Sequence, residues 1–190
     1  MSQNKIIKLF DDSICIISES KVLEKSIQQV IDKIISCFEN GNKLIVFGNG
    51  GSAADSQHFA AEFVGRFLKE RNSLPAISLT TDTSILTALA NDYSFNTVFS
   101  RQCESLVQEN DLVFGISTSG NSQNVINGIT TAKNCGGITV GLLGSGGGKL
   151  KEITDLSIIV PSNSTPRIQE SQRIILHIIC EIVEEHFSNK

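Results

Sequence analysis

Short apolar runs that alternate with longer helix-like segments dominate the chain from residue 43 onward. The five runs are Leu44–Phe47, Ala76–Leu79, Leu112–Ile116, Ile138–Leu143 and Leu156–Val160. Apolar strands separated by helices are typical of a parallel sheet that is covered on both faces. The pattern therefore predicts an α/β fold, a three-layer αβα sandwich with a five-stranded parallel sheet over residues 41–190.

Two helices are predicted ahead of the first strand, within residues 1–40. Apolar residues between Ile6 and Ile17 indicate the first helix, and apolar positions at three- and four-residue steps from Val22 to Phe38 indicate the second. They either cap the sheet or pack against another subunit. No linker divides residues 1–190, so a single domain is expected. Further helices are predicted to about Lys69, near 83–90 and 96–108, to about Cys135 and Thr154, and over 167–187.

Composition and charge exclude several functional classes. Sixteen Lys and Arg against twenty Asp and Glu give a net charge of −4. The basic residues are not concentrated in a stripe, which argues against binding to the nucleic-acid backbone. No apolar run approaches the ~20 residues of a membrane span. Asp11 and Asp12 stand where a signal peptide would be apolar. Five scattered cysteines predict free thiols, small core residues in a reducing cytoplasm.

Glycines follow the first strand in the segment Gly48–Ala53, GNGGSA, and a helix begins there. Glycines let backbone approach a ligand, and the first N–H groups of a helix favour an anion. The string also satisfies G-x-G-x-x-A, a dinucleotide pattern, but Asp82 after the second strand is a better helix N-cap than a ribose ligand. A tight strand-to-helix turn remains the alternative interpretation.

Four hydroxyl side chains lie after the third strand in the segment 117–122, STSGNS. Helix capping needs one hydroxyl and does not explain four, so the pattern predicts an anion site for a phosphate. A second glycine-rich segment, Gly144–Gly148, does not fit a nucleotide P-loop because Leu150 stands where Ser or Thr is required. It is predicted to be a flexible turn.

Two polar stripes lie on predicted helices. His58 and Glu62 are four residues apart and can share one divalent metal, although Asp55 and Arg66 extend the stripe as on a solvated face. The last helix carries Gln169, Arg173 and His177, and its stripe continues through Glu181 and Glu184. Solvated faces are the simpler interpretation of the spacing. Asn91 and Asp92 are placed in a loop before Tyr93, suited to capping or to sugar hydroxyls.

Four motifs together resemble the sugar isomerase (SIS) superfamily and, more narrowly, the bacterial phosphoheptose isomerases. They are GNGGSAADSQHFAAEFVGRF at 48–67, LTTDTSILTALANDYSF at 79–95, STSGNS at 117–122, and TPRIQESQ at 165–172 with His177. The resemblance covers essentially the whole chain and implies a flavodoxin-like sheet. It also implies conversion of D-sedoheptulose 7-phosphate to D-glycero-D-manno-heptose 7-phosphate, the entry to heptose nucleotides of lipopolysaccharide core or other surface glycans. Homotetramers with sites near subunit boundaries are implied as well.

The resemblance also implies roles for individual residues. Sugar contacts fall on Asn49, Gly50, Gly51, Ser52, Glu62, Asn91, Asp92 and Gln169, and phosphate contacts on Ser117, Thr118, Ser119 and Ser122. His58, Glu62, Gln169 and His177 match a divalent-metal site, usually zinc, one ion per subunit. Glu62 is expected to be the base and His177 the acid of an enediol proton transfer. One departure is Pro166, which stands where some relatives carry an acid.

Three other functions remain open from the sequence. A non-catalytic relative binds the bacterial replication initiator, but it tends to lose the acid and the histidine that Glu62 and His177 supply here. An isomerase for another sugar phosphate is disfavoured by the leading helices and by the TPRIQE segment. A dinucleotide-dependent oxidoreductase depends on the glycine string alone.

Overall fold

The computed structural model describes residues 2–188, with side chains from residue 4 onward. The helices are α1 Ser2–Glu19, α2 Glu24–Glu39, α3 Gly51–Val64, α4 Thr83–Asp92, α5 Ser100–Leu106, α6 Gln123–Asn134, α7 Leu150–Ile153 and α8 Thr165–Ser188. The strands are β1 Leu44–Gly48, β2 Ala76–Ser78, β3 Leu112–Ser117, β4 Ile138–Leu143 and β5 Leu156–Ile159. Short 3₁₀ turns cover Ser20–Leu23, Phe95–Thr97 and Ser145–Gly147.

Within the described residues the strands form one parallel sheet in the order β2-β1-β3-β4-β5. Val46 of β1 pairs with Phe114 of β3, which pairs in turn with Val140 of β4. The chain leaves β1 toward β2 and returns on the other side of β1 to form β3. Loops that leave β1 and β3 therefore diverge, and ligands of such sheets bind in the crevice between them. The predicted α/β fold and its flavodoxin-like order are confirmed.

Helices cover both faces of the sheet, as the apolar strands require. On one face, α2, α3 and α8 pack against alternate strand residues such as Val46 and Phe114. On the other face, α5 and α6 pack against Ile45 and Phe47, with the ring of Phe47 stacked on Phe99 at 4.8 Å between centroids. These two cores hold the carboxyl ends of β1 and β3 in place.

The two leading helices differ in their surroundings. Helix α2 buries Val30, Ile31 and Ile34 in the core, so it caps the sheet. Helix α1 lies along α8 but leaves Phe10 and Ile14 more than half exposed, at 67% and 62%. The described helices include none that is long and apolar enough to span a membrane.

Two helix boundaries differ from the sequence-based prediction. Helix α3 ends at Val64 and not near Lys69, because Gly65 follows and the Arg71 guanidinium binds the carbonyl oxygens of Phe63 and Gly65 at 2.8 and 3.0 Å. Helix α8 begins at Thr165. Pro166 therefore lies in its first turn, where a missing N–H has no consequence.

The cysteines are free thiols, as predicted. Cys37, Cys103 and Cys180 are buried, and burial raises the pKa of Cys103 to about 12. A thiol so far from ionisation is inert at neutral pH, and it packs as a small apolar side chain.

Candidate active site

The glycine turn after β1 brings backbone close to the last helix. A Cβ on Gly48 would lie 2.8 Å from the Ile116 carbonyl oxygen, and Gly50 has a positive φ of 56°. A Cβ on Gly51 would lie 2.6 Å from Nε2 of Gln169. Backbone leaves no room for a Cβ at Gly48, and a Cβ at Gly51 would displace the Gln169 amide, so the start of α3 lies directly beside the Gln169 side chain.

The hydroxyl loop after β3 leaves its side chains facing one another. Ser117 is buried, and its Oγ lies 3.2 Å from the Oγ of Ser122. Ser122 is the N-cap residue of α6, yet its side chain accepts no capping hydrogen bond from the helix. Thr118 is half-buried and Ser119 is exposed. Hydroxyls and helix N–H groups together suit a phosphate at this end of the sheet.

The glycine-rich segment 144–148 packs against the hydroxyl loop. A Cβ on Gly120 would lie 1.9 Å from the Gly147 carbonyl oxygen, and Leu150 N–H donates to the Gly120 carbonyl at 3.0 Å. Lys149 N–H donates to the Asn121 side chain at 3.1 Å. The segment is a turn, as predicted, and it supports the loop at residues 117–122.

An amide pair joins the two loops. Asn49 Nδ2 donates to Asn124 Oδ1 at 2.8 Å, and Asn124 Nδ2 donates back to Asn49 Oδ1 at 2.9 Å. Asn124 is buried in the first turn of α6. The pair fixes the orientation of Asn49 at the crevice between β1 and β3.

Three side chains with acid–base character meet where α3 and α8 pack. His58 Nε2 lies 2.8 Å from His177 Nε2 and 3.4 Å from Glu62 Oε1. Burial lowers the pKa of His177 from its ordinary value of 6.5, and the neighbouring His58 and Arg173 add to the shift. His177 is therefore neutral at pH 7, and in the contact between the two rings one imidazole donates a proton and the other accepts it.

An ion pair joins the same two helices beside the imidazoles. Arg173 donates from Nε and Nη2 to Asp55 Oδ1, with a distance of 2.8 Å for Nε. Asp55 is 4% exposed, so it does not lie on a solvated face as the stripe of polar residues suggested. The contacts Gly51–Gln169, Asp55–Arg173 and His58–His177 follow one another along α3 and α8.

Asn91 and Asp92 form the last two residues of α4 and are not in a loop, contrary to the prediction. Both side chains are exposed, and Asn91 Nδ2 donates to Asp92 Oδ1 at 2.8 Å. Asp82 caps the start of the same helix by accepting from Ile85 N–H at 2.9 Å. That contact confirms Asp82 as a cap, which removes the acid that a dinucleotide site would need.

Comparisons with known proteins agree with this arrangement. Residues 10–144 match the SIS domain family. A phosphoheptose isomerase of Geobacter metallireducens is 59% identical over 152 residues, which are 80% of each chain. The chain belongs to the phosphoheptose isomerase family.

Solved structures of this family have the same fold from end to end. The phosphoheptose isomerase of Neisseria gonorrhoeae superposes with a TM-score of 0.93 and 39% identity, over 97% of this chain and 100% of that one. For the phosphoheptose isomerase of Francisella tularensis the TM-score is 0.94 at 35% identity, over 97% of this chain and 99% of that one. The leading helices are therefore part of the shared architecture.

The metal site that the family resemblance implies can be tested on side-chain chemistry. Two imidazoles and a carboxylate, from His58, His177 and Glu62, are ordinary zinc ligands, and Gln169 lies nearby at the glycine turn. Within residues 2–188 no three His, Cys, Asp or Glu side chains are already arranged to hold a metal ion. The two imidazoles instead contact each other directly. The donor set fits zinc by its chemistry, and its binding stays a prediction.

Sequence reasoning missed two buried charged residues beside the site. Glu184 was assigned to a stripe compatible with solvent, but it is 2% exposed. The side chain of Arg71 is 1% exposed and was not singled out at all. Glu184 lies seven residues after His177, which places it two helical turns further along the same face of α8. That spacing is the one sequence signal that the Glu184 side chain points inward.

Proposed function

We propose that this protein isomerises D-sedoheptulose 7-phosphate to D-glycero-D-manno-heptose 7-phosphate, the first step toward the heptose nucleotides of lipopolysaccharide core or other surface glycans. The convergence of His58, Glu62 and His177 where α3 packs on α8 carries the proposal. It occurs in a chain that is 59% identical to a phosphoheptose isomerase. A ketose–aldose isomerase needs a base, an acid and a held phosphate, and the described residues offer all three.

The phosphate is assigned to the hydroxyl loop. Ser117, Thr118, Ser119 and Ser122 supply hydroxyls, and the first N–H groups of α6 add positive partial charge. Ser122 does not cap the helix, and its hydroxyl pairs with that of Ser117 instead, so both hydroxyls can turn toward an anion at the start of α6. The phosphate would anchor one end of the substrate and direct the sugar toward the α3–α8 contact.

The sugar chain is assigned to the crevice between the two loops. Asn49, Gly50, Gly51 and Ser52 line it from the glycine turn, and Gln169 lies over that turn. Asn91 and Asp92 contribute an amide and a carboxylate that suit sugar hydroxyls. The Asn49–Asn124 pair keeps one of these amides fixed.

Proton transfer is assigned to Glu62 and His177. Glu62 removes a proton from C1 of the ketose while His177 gives a proton to the C2 oxygen, which forms the enediol. Glu62 then returns the proton to C2, while the C1 hydroxyl gives its proton to His177, which restores the acid and leaves the aldehyde. The side chain of Glu62 is 19% exposed, so the base works in a largely dry setting that strengthens its interactions.

A zinc ion is proposed as the cofactor, one per subunit, held by His58, Glu62, Gln169 and His177. When bound, zinc polarises the carbonyl and hydroxyl oxygens of the substrate. A lowered pKa keeps His177 neutral, which is the form that binds metal. Glutamine is a weak zinc ligand, so the site would be exchangeable and would face the substrate.

A homotetramer in the cytoplasm is the proposed form of the protein. A groove of about 520 Å³ between α2 and α8 is lined by isoleucines, including the exposed Ile174, Ile178 and Ile182, with polar residues such as Lys21 and Glu24 among them. The exposed apolar side chains of α1 extend this surface. Large apolar areas of this kind are usually covered by another subunit. Free thiols agree with a reducing compartment.

Turnover of sedoheptulose 7-phosphate, followed by phosphorus NMR, tests the reaction and the metal together. We expect conversion that falls after chelation and returns with zinc. Conversion indifferent to chelation would refute the zinc assignment, and no conversion by folded, zinc-loaded protein would refute the isomerase. Light scattering during size-exclusion chromatography should give four times 20.6 kDa, and a monomer would contradict the tetramer.

Two matched variants test the base. Glu62→Gln should lower kcat by at least about 10²-fold, because general-base removal typically costs 10²–10⁴-fold. Glu104→Gln is the control, since Glu104 pairs with Arg101 on the exposed face of α5. A Glu62→Gln enzyme with kcat equal to that of the control would refute the assignment.

A further inference from the structure

A buried ion pair, Arg71 with Glu184, lies behind the α3–α8 contact. Arg71 Nε is 3.6 Å from Glu184 Oε1, and the two side chains are 1% and 2% exposed. Burying two charges is costly unless other groups satisfy them. Glu184 meets this requirement by accepting backbone N–H bonds, and the two Nη atoms of Arg71 meet it by donating to backbone carbonyls, although the buried Nε of Arg71 has no hydrogen-bond partner among the described residues.

Glu184 holds the loop that follows α3. Its carboxylate accepts N–H bonds from Phe67 at 2.7 Å, from Leu68 at 2.6 Å and from Lys69 at 2.7 Å. Successive backbone N–H groups that converge in this way form a concave binding site for an anion. The carboxylate therefore fixes the backbone of residues 67–69 to helix α8.

Arg71 holds the end of α3. Its Nη2 donates to the Glu62 carbonyl oxygen at 2.7 Å, and its Nη1 donates to the carbonyl oxygens of Phe63, Gly65 and Asn72 at 2.8 to 3.0 Å. The last carbonyls of a helix have no partner within the helix. The guanidinium binds two of them, those of Glu62 and Phe63, and so fixes the backbone of Glu62.

The loop that Glu184 holds reaches the other reacting group. The ring of Phe67 lies 5.5 Å from the His177 imidazole, centroid to centroid, with 41° between the planes. Phe67 is half-buried, and it is one of the three residues whose N–H groups bind Glu184. The same ion pair is thus connected to Glu62 on one side and, through Phe67, to His177 on the other.

We propose that Arg71 and Glu184 are positioning residues, whose ion pair sets the backbone of Glu62 and the orientation of the His177 ring relative to each other. The proposal deepens the assigned isomerase function and rests on it for the roles of Glu62 and His177. Neither positioning residue needs to touch the substrate. Displacing a reacting group by ~1 Å can cost up to ~10²-fold in rate, so a fixed relationship between acid and base has a kinetic consequence.

The test compares Glu184→Gln with a matched control, Asp111→Asn. Asp111 is also a buried carboxylate that accepts two backbone N–H bonds, from Lys43 at 3.0 Å and Gln108 at 2.8 Å, and pairs with Lys43 Nζ at 2.6 Å. It lies just before β3, at the amino ends of the strands, whereas the site lies beyond their carboxyl ends. Both variants lose one buried negative charge, but only Glu184→Gln loosens the loop that contacts His177.

We expect Glu184→Gln to lower kcat about tenfold or more per folded protein, with KM for sedoheptulose 7-phosphate within about threefold of wild type. Asp111→Asn should lose stability with kcat unchanged. Arg71→Lys keeps the positive charge but not the guanidinium that binds four carbonyls, and it should lower kcat in the same way. A kcat for Glu184→Gln and Arg71→Lys equal to that of Asp111→Asn would overturn the proposal.

Histidine NMR gives a readout that does not depend on turnover. The chain has three histidines, so the imidazole signals of His58, His177 and His186 can be assigned by substitution. Glu184→Gln and Arg71→Lys should shift the His177 signals, and Asp111→Asn should leave them in place. Unshifted His177 signals in both variants would overturn the proposal. If the wild type is inactive but the two variants still shift the His177 signals, only the isomerase assignment is refuted. If neither variant folds, Phe67→Leu takes their place in this experiment, because it removes only the ring contact with His177. Unshifted His177 signals in Phe67→Leu would then overturn the proposal.

Discussion

Asp55 on α3 and Arg173 on α8 form an ion pair about one helical turn from the contact between His58 and His177. Asp55 is buried, whereas the Arg173 side chain is 42% exposed. The pair fixes the position of α3 along α8. As a result, His58 and His177, about one turn further on, face each other. It therefore has a structural effect at the acid–base site without contributing a reacting group.

Asp55→Asn should weaken both stability and turnover. In the variant, Arg173 would donate to a neutral amide oxygen in place of a carboxylate. Losing a charge-assisted hydrogen bond with a half-exposed partner lowers the free energy of unfolding by about 1–3 kcal/mol. We expect kcat/KM to fall about tenfold, as α3 and α8 lose their alignment. Urea unfolding and steady-state kinetics measure the two effects.

Asp155→Asn is the matched control for that variant. Asp155 accepts from Lys133 Nζ and from the N–H and hydroxyl of Thr139, but it does so near the start of β4, away from the crevice. Its loss should lower stability and leave kcat/KM per folded protein unchanged. Equal kcat/KM in Asp55→Asn and Asp155→Asn would show that the Asp55–Arg173 pair has no part in catalysis.

The sheet could be predicted from sequence because parallel strands covered on both faces are continuously apolar. The crevice loops could be predicted for a related reason, since the glycines begin at Gly48 and the hydroxyls at Ser117, where those strands end. The pairing of α3 with α8 could not, because Asp55 and Arg173 are 118 residues apart and each alone looks like a solvated charge. The direction of a charged side chain depends on the neighbouring helix, which local spacing does not encode.

Residues 65–72 show the same limit for a loop. Helix periodicity extends to about Lys69, and Gly65 is the one local signal for an end at Val64, which by itself does not outweigh that periodicity. The helix ends there because Arg71 binds the final carbonyls and Glu184 binds the following N–H groups. Those partners come from a loop residue and from α8, and they override local helix propensity.

Gly120→Ala should disable the phosphate loop. A Cβ at this position would lie 1.9 Å from the Gly147 carbonyl oxygen, and φ is +65°. The loop must move, so we expect affinity for inorganic phosphate to fall at least about tenfold, together with a rise in KM. Isothermal titration with phosphate and steady-state kinetics measure this loss.

Gly146→Ala separates the steric contact from backbone strain. Gly146 has a φ of +77°, yet no atom lies within 4 Å of a Cβ built there. This variant should lose about 1–2 kcal/mol of stability from the left-handed backbone and keep its phosphate affinity. The same loss of phosphate affinity in both variants would contradict the packing role assigned to Gly120.

Gly51→Ala should displace Gln169. The new Cβ would lie 2.6 Å from Gln169 Nε2, so the side chain must leave the glycine turn. We expect kcat/KM to fall about tenfold, and a double-mutant cycle measures whether the loss acts through Gln169. With Gln169→Ala as background, Gly51→Ala should have little further effect. Full additivity of the two losses would contradict this prediction.

The contribution of Glu184 to stability should depend on pH in the acidic range. Burial by itself would raise the pKa of its carboxyl, but N–H bonds from Leu68, Phe67 and Lys69 and the nearby Arg71 outweigh it and lower the pKa from its ordinary value of 4.5. A carboxyl with a lowered pKa in the folded state binds protons more readily when unfolded. Its stabilisation is complete above the unfolded pKa and is lost as pH falls through the folded pKa.

Urea unfolding of wild type and Glu184→Gln between pH 3 and 7 measures this dependence, because that range spans the ordinary carboxyl pKa of 4.5. The wild type should be more stable by about 2–4 kcal/mol near neutrality, because the variant leaves Arg71 buried without a charged partner. The difference should stay constant down to about pH 5 and shrink below it. A difference that is independent of pH down to pH 3 would mean that the Glu184 carboxylate stabilises the fold by shape and not by charge.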